Sequence, residues 1–186
     1  LINSHLFATK PPIQRLKEGT DTPLPDWTVA DNQPIIYPRV TSQGKGKRIP
    51  ITTGSEKWLY NGVAIDFTSD TRFKKVTHDD GGVSVPALKI VENLASIDNL
   101  DTDVITFEAK TKISGVDYEV RATLEIRLEE MVGEPYDGFI EVTEGGVIDD
   151  NTPEVTATAI LYKGGAVITE GVTYKWYRVG RDGLKE

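Results

Sequence analysis

Three aspartates, Asp98, Asp101 and Asp103, stand together in the stretch IDNLDTD. Carboxylate oxygens grouped this way could ligate calcium, a hard cation that takes oxygen donors. The stretch lacks the sixth-position Gly and the closing Glu of an EF-hand loop. The plainer expectation is a solvated turn between strands, with Asp103 capping the corner. His78-Asp79-Asp80 also carries metal-capable side chains, but neighbours in sequence point apart unless the loop folds back, and the other His is His5. Lys45-Gly46-Lys47-Arg48 has the look of a phosphate loop. The Walker pattern needs Ser or Thr after Gly-Lys and a helix beyond, whereas Arg48-Ile49-Pro50 follows. The expectation for this run is a basic loop that keeps a hairpin soluble, with contact to an acidic neighbouring subunit as the alternative. Glu129, Glu130 and Glu134 would have to flank a cleft, about 5–10 Å apart, to hydrolyse a glycoside. They sit instead where a strand runs into a linker. With two His, no Cys and no nucleophile elbow, no nucleophile–base set can be assembled. The expectation is a non-enzyme without metal or cofactor.

Composition narrows the classes further. The formal net charge of −8 disfavours phosphate backbones and anionic membranes as partners, so neither nucleic-acid binding nor membrane insertion is expected. No apolar run approaches the roughly 20 residues of a membrane span. The absence of Cys removes thiolate metal sites and disulfides and leaves the redox compartment open. The first residues, LINSHLFATK, lack the charged start and apolar stretch of a signal peptide. They also lack an initiator Met, which suggests a piece of a longer protein.

Seventeen Gly and ten Pro punctuate a chain whose hydrophobic fraction is 38%, a composition that suits many short strands. Pro11-Pro12, Pro23 and Pro25 make residues 1–25 read as an extended Pro-rich arm. PIIYPRVT, residues 34–41, reads as a strand. Lys57 to Tyr60 is a short aromatic strand, and Asn61-Gly62 is the strongest two-residue hairpin signal, with Val63, Ile65 and Phe67 alternating on the return. Ile105, Phe107 and Ala109 alternate, Ser114-Gly115 turns, and Val116 to Leu128 is apolar at every second position. That spacing belongs to a strand with one buried and one wet face. A linker follows, and the pattern restarts. Phe139 to Thr143 reads as a strand, Val155 to Leu161 alternates, Gly164-Gly165 breaks the run, and Val172, Tyr174 and Trp176 alternate toward a turn at Gly180 and Asp182-Gly183. No helical periodicity is sustained anywhere.

Two phrases repeat. Lys57-Trp58 precedes Tyr60 and a turn, and Lys175-Trp176 precedes Tyr177 and a turn. In two-sheet sandwiches of the immunoglobulin type, a mid-sheet strand carries a Trp that packs across the core. Leu88-Lys89-Ile90 followed by Leu94, one place beyond the motif's last position, resembles the L-x-I-x-x-L of the fifth strand of such domains, and Asp103, Phe107 and Ala109 resemble the D-x-x-x-Y-x-C leading into the sixth. Phe107 lacks the hydroxyl of the tyrosine corner, and Ala109 stands where the inter-sheet Cys would be. The expected fold is all-β: tandem immunoglobulin-like β-sandwiches, the second incomplete in this chain. Residues 26–130 form the first, 131–138 a linker, and 139–186 the opening strands of the second, truncated or completed by another chain. Trp58, Leu88, Ile90, Phe107 and Trp176 are the expected core.

The runs PDWTVADNQPIIYPRV, KWLYNGVAIDF and ALKIVENLAS resemble the immunoglobulin-like repeats of tail and other structural proteins of bacteriophages, particularly those infecting gut Bacteroidetes. YKWYRVGRDG resembles strand C of such modules. The resemblance spans most of residues 25–186 and implies a non-catalytic virion component of tail or baseplate type. As a rigid spacer or host-contact scaffold it would pair with other virion subunits, in a homo-oligomer, and with host-surface glycan. The alternative is a bacterial surface or periplasmic binding or adhesin module recognising glycan or protein. An appendage to a catalytic module elsewhere is a third class.

Overall fold

The computed structural model of the chain describes residues 2–42, 46–143, 148 and 153–178. Thirteen strands and one short 3-10 turn, Ala30–Asn32, account for the regular structure of the described residues. The strands are β1 (Ile2–Ala8), β2 (Ile13–Lys17), β3 (Pro23–Leu24), β4 (Ile35–Ser42), β5 (Lys57–Tyr60), β6 (Val63–Ala64), β7 (Phe73–Asp80), β8 (Val83–Ile90), β9 (Thr102–Ile113), β10 (Val116–Met131), β11 (Tyr136–Val142), β12 (Ala157–Lys163) and β13 (Ala166–Ile168). The protein is all-β, as its periodicity requires.

Three sheets form. One has the order β1-β4-β8-β7, the second β3-β2-β10-β9-β5-β6, and the third β11-β12-β13. The first two enclose a single apolar core, making a β-sandwich. Alternation along each strand sends every second side chain inward. Ile36 on β4, Phe73 on β7, and Leu88 and Ile90 on β8 come from one sheet. Trp58 on β5, Ile105 and Phe107 on β9, and Ile126 and Leu128 on β10 come from the other. Trp58 lies directly opposite Phe107 in the β5–β9 ladder, with ring centroids 4.7 Å apart. Trp27 joins this core with no exposed surface. The indole N–H groups of Trp27 and Trp58 are both buried without an acceptor, so apolar contact alone holds the two rings.

The turns follow the chemistry of their residues. Asn61-Gly62 (φ 49° and 81°) and Ser114-Gly115 (φ 50° and 84°) are both left-handed pairs, the geometry that tight hairpins demand. The β9–β10 hairpin is the longest ladder and runs from Thr102 to Met131, so Met131 is still strand and the linker shortens to residues 132–135.

The N-terminal segment departs from expectation. Residues 2–8 and 13–17 are ordered strands of opposite sheets: β1 pairs antiparallel with β4, and β2 pairs parallel with β10. The physical reason lies in where the prolines fall. Pro11 and Pro12 stand between the strands, where the ladder must break for the chain to cross from one sheet to the other. Pro23 sits on the edge strand β3, where a missing N–H is harmless. Gln14 then pins the segment down. Its Oε1 accepts from Leu94 N (2.8 Å) and Ala95 N (2.9 Å), and its Nε2 donates to Pro25 O (2.9 Å) and Asn93 Oδ1 (2.5 Å). The sandwich therefore includes β1 and β2 rather than starting at residue 26.

The third sheet has two unlike faces. Asp137, Phe139, Glu141 and Tyr162 turn toward the sandwich, and Tyr162 meets Phe139 edge-on at 5.6 Å. Gly165 (φ 78°) lies so close to the sandwich that a Cβ there would stand 2.6 Å from Leu24 Cβ. The opposite face carries Ile140, exposed, with Ala159 and Leu161 beside it. Trp176 does not meet its expected role: it is 55% exposed, and residues 172–178 form no strand. Burying an indole needs a facing layer, and among the described residues no sheet lies over this side. The turn expected at Gly180 and Asp182-Gly183 lies outside the described residues, as does Lys45 of the basic loop.

Candidate interaction surfaces

The three aspartates of residues 98–103 are not brought together. Asp98 and Asp101 are exposed, whereas Asp103 is 2% exposed at the start of β9. Its carboxylate accepts from the Tyr60 hydroxyl, from Asn61 Nδ2 (2.8 Å) and from Asn99 Nδ2 (3.1 Å). Burial and the bond to Asp103 push the Tyr60 phenol up to about 12, and the Arg72 guanidinium lies 4.6 Å over its ring. A carboxylate engaged by three donors is a structural anchor. Among the described residues no three His, Asp or Glu side chains converge as a metal site would require.

His78 and Asp80 face outward on β7 and Asp79 faces the other way, as strand alternation dictates. His78 stacks on Tyr37 at 4.0 Å, and burial lowers its pKa. Asp80 has no exposed surface and is held by two guanidinium groups: Arg39 Nε and Arg48 Nε each reach its Oδ2 at 2.9 Å. Arg48 of the basic loop therefore clamps the loop to the sheet's outer surface, where Tyr37, Val85 and Ala87 form a small apolar cluster of their own. Lys47 stays exposed.

Glu129 and Glu130 point to opposite sides of β10. Burial alone would raise the Glu129 pKa, but hydrogen bonds from Arg15 and Arg127 hold it below the usual range. Arg15, itself 9% exposed, reaches Glu129 Oε1 at 2.7 Å, and its Nη1 lies 2.8 Å from Asp137 Oδ2, an ionic contact without hydrogen-bond alignment. One arginine from the N-terminal segment thus ties the last strand of the sandwich to the first strand of the third sheet. Glu134 pairs with Lys163 at 3.5 Å.

Among the described residues, two surfaces bear on partners. One is the outer face of the third sheet, with Ile140 exposed, Tyr174 lining the same shallow groove, and Trp176 and Tyr177, both about half exposed, just beyond Tyr174 in the chain. The other is a cleft of about 510 Å³ between the sandwich and the third sheet. Its walls include residues 6–9 of β1 and its exit, residues 139–143 of β11 and its exit, and Tyr37 and His78. Sequence reasoning found neither Arg15 nor the cleft. Arg15, between Gln14 and Leu16, carries no local signal of its partners, and the cleft arises from how two sheets dock. Among the described residues no helix is long and apolar enough to cross a membrane.

Comparison with protein-family models and with curated proteins finds no match.

Proposed function

We propose that the protein is a non-catalytic structural and interaction module, an immunoglobulin-like sandwich followed by the opening strands of a second. What supports the immunoglobulin-like reading is strand order. β1-β4-β8-β7 corresponds to A-B-E-D, and β10-β9-β5 to G-F-C, with β6 as C′ and β2 as a parallel companion of G. The observation that carries the spacer function is the Arg15 bridge to Glu129 and Asp137, which couples sandwich and third sheet into one stiff unit. Rigidity and presented loops, rather than chemistry, are then the working properties.

The setting in a phage tail or baseplate-type assembly, with other virion subunits as neighbours, rests on the resemblance of the runs at residues 25–40, 57–67 and 87–96. The half-exposed Trp176 and Tyr177 favour a second reading, a bacterial surface or periplasmic module that stacks aromatic side chains on glycan. Density-gradient sedimentation of the native source, probed with an antibody against residues 26–130, separates the two. Signal moving with nuclease-resistant particles is the expected result. Signal with envelope membranes, or free in solution, would replace the virion reading with the surface one.

A further inference from the structure

The cleft between the sandwich and the third sheet is bordered by strand edges rather than by one sheet face. A face presents every second residue of a strand, yet residues 6–9 and residues 139–143 each line the opening consecutively. Among the described residues β1 pairs with β4 alone and β11 with β12 alone, so each is the outermost strand of its sheet. An outermost strand offers a row of backbone donors and acceptors to an incoming extended chain. The volume, about 510 Å³, falls within the range of about 300–1,000 Å³ common for ligand pockets.

The lining adds chemistry to shape. Phe7, Tyr37 and Phe139 supply aromatic surface. Glu141 supplies a carboxylate whose Oε1 is buried with no hydrogen-bond partner. The contrast with the sandwich's buried acids is direct: Asp80 and Asp103 are each engaged by several donors, whereas Glu141 is not. Lys10 stands close enough to favour the charged carboxylate, but burial outweighs it and the Glu141 pKa is raised. Leaving a buried carboxylate oxygen unmatched is costly, and a charged donor relieves that cost best. The net charge of −8 also favours a cationic partner over an anionic one.

We infer that this cleft captures an extended peptide segment, which adds as a strand to the edge of β11 and presents a basic side chain to Glu141. The aromatic walls take its flanking apolar residues. The inference goes beyond the virion reading and stands apart from it, because peptide capture and particle association are measured separately and either can fail alone.

The test titrates the full chain with a capped pentapeptide, Thr-Val-Lys-Val-Thr, and with its norleucine counterpart in place of lysine. Affinity is followed by calorimetry and backbone protection by hydrogen exchange. The expected result is tighter binding of the lysine peptide, with slowed exchange confined to residues 139–143 and their partners. Glu141→Gln, checked for an unchanged melting transition, should weaken the lysine peptide at least tenfold and leave the norleucine peptide unaffected. Equal binding of the two peptides, no binding of either, or indifference to Glu141→Gln would overturn the assignment. n-Butylamine binding as tightly as the peptide would also overturn it, since a bare amine pocket needs no strand addition.

Discussion

The hydroxyl of Tyr60, at the end of β5, donates to the buried carboxylate of Asp103 at the start of β9. Phe107, four residues further along β9, has no hydroxyl to fasten the sheet's corner, and Tyr60 fastens it from the neighbouring strand. Asn61 completes the joint: its Nδ2 donates to Asp103 and its Oδ1 accepts from Val104 N at 2.8 Å. The Asn-Gly hairpin and the corner are therefore one hydrogen-bonded unit. Tyr60→Phe withdraws a donor from a buried acid and should destabilise the sandwich by about 1–3 kcal/mol. Urea denaturation followed by circular dichroism measures it, and an unchanged midpoint would show that the other donors suffice.

The same joint makes an alkaline signature. Burial first, and the Asp103 bond second, raise the Tyr60 pKa from the usual 10 to about 12. The folded protein thus holds the phenol neutral where the unfolded chain would ionise it. This group's contribution is present below pH 10 and is lost as pH rises from 10 toward 12. In a phenolate-absorbance titration, Tyr60 should lag the exposed tyrosines together with Tyr162, whose pKa burial also raises, and Tyr60→Phe should shrink that late step by one tyrosine.

The tryptophans sort by environment. Trp58, 1% exposed, fills the core, so Trp58→Ala should cost about 3–5 kcal/mol. Trp176, 55% exposed, is a surface residue whose change to Phe should stay within about 0.5 kcal/mol. Acrylamide should quench the native fluorescence through Trp176, and Trp176→Phe should leave blue-shifted, poorly quenched emission from Trp27 and Trp58. Persistent quenching in that variant would place one of the other rings in solvent.

Deleting residues 1–25 should abolish the cooperative melting transition, because it removes β1 and β2 from opposite sheets. Gln14→Leu is the milder probe. It strands the N–H groups of Leu94 and Ala95, at about 1–3 kcal/mol for each buried donor left unpaired. A deletion variant that melts like the full chain would restore the reading of this segment as a detachable arm.

Asp80 holds Arg39 and Arg48 against the outer surface of the first sheet. Asp80→Ala leaves two buried guanidinium groups without their shared carboxylate and should cost about 3–5 kcal/mol. The loss should persist at high salt, because buried pairs are screened far less than exposed ones. Denaturation at low and high salt measures both points, and a loss that vanishes in salt would mean the cluster is hydrated.

Much of the sandwich is legible in local pattern. The alternation from Val116 to Leu128 is that of a strand with one buried face, and Asn61-Gly62 and Ser114-Gly115 close hairpins because few other residues accept a left-handed backbone. Trp58, Leu88, Ile90 and Phe107 are large apolar residues in β-forming runs, and all are buried. These features depend on neighbours within a few residues, which a sequence displays directly.

Tertiary structure decided what depends on distant partners. Prolines at 11 and 12 remove backbone donors in any fold, and only the position of β4 and β10 makes them the crossing point between two strands. Gln14, with no exposed surface, reads as a surface residue until Leu94, Ala95 and Asn93 meet it. Asp103 resembles Asp98 and Asp101 in sequence, yet Tyr60 and Asn61, from another strand, make it an anchor instead of a ligand. Trp58 and Trp176 share the same local phrase and take opposite environments. An indole is buried only where a second layer exists to receive it, and that layer lies far away in sequence.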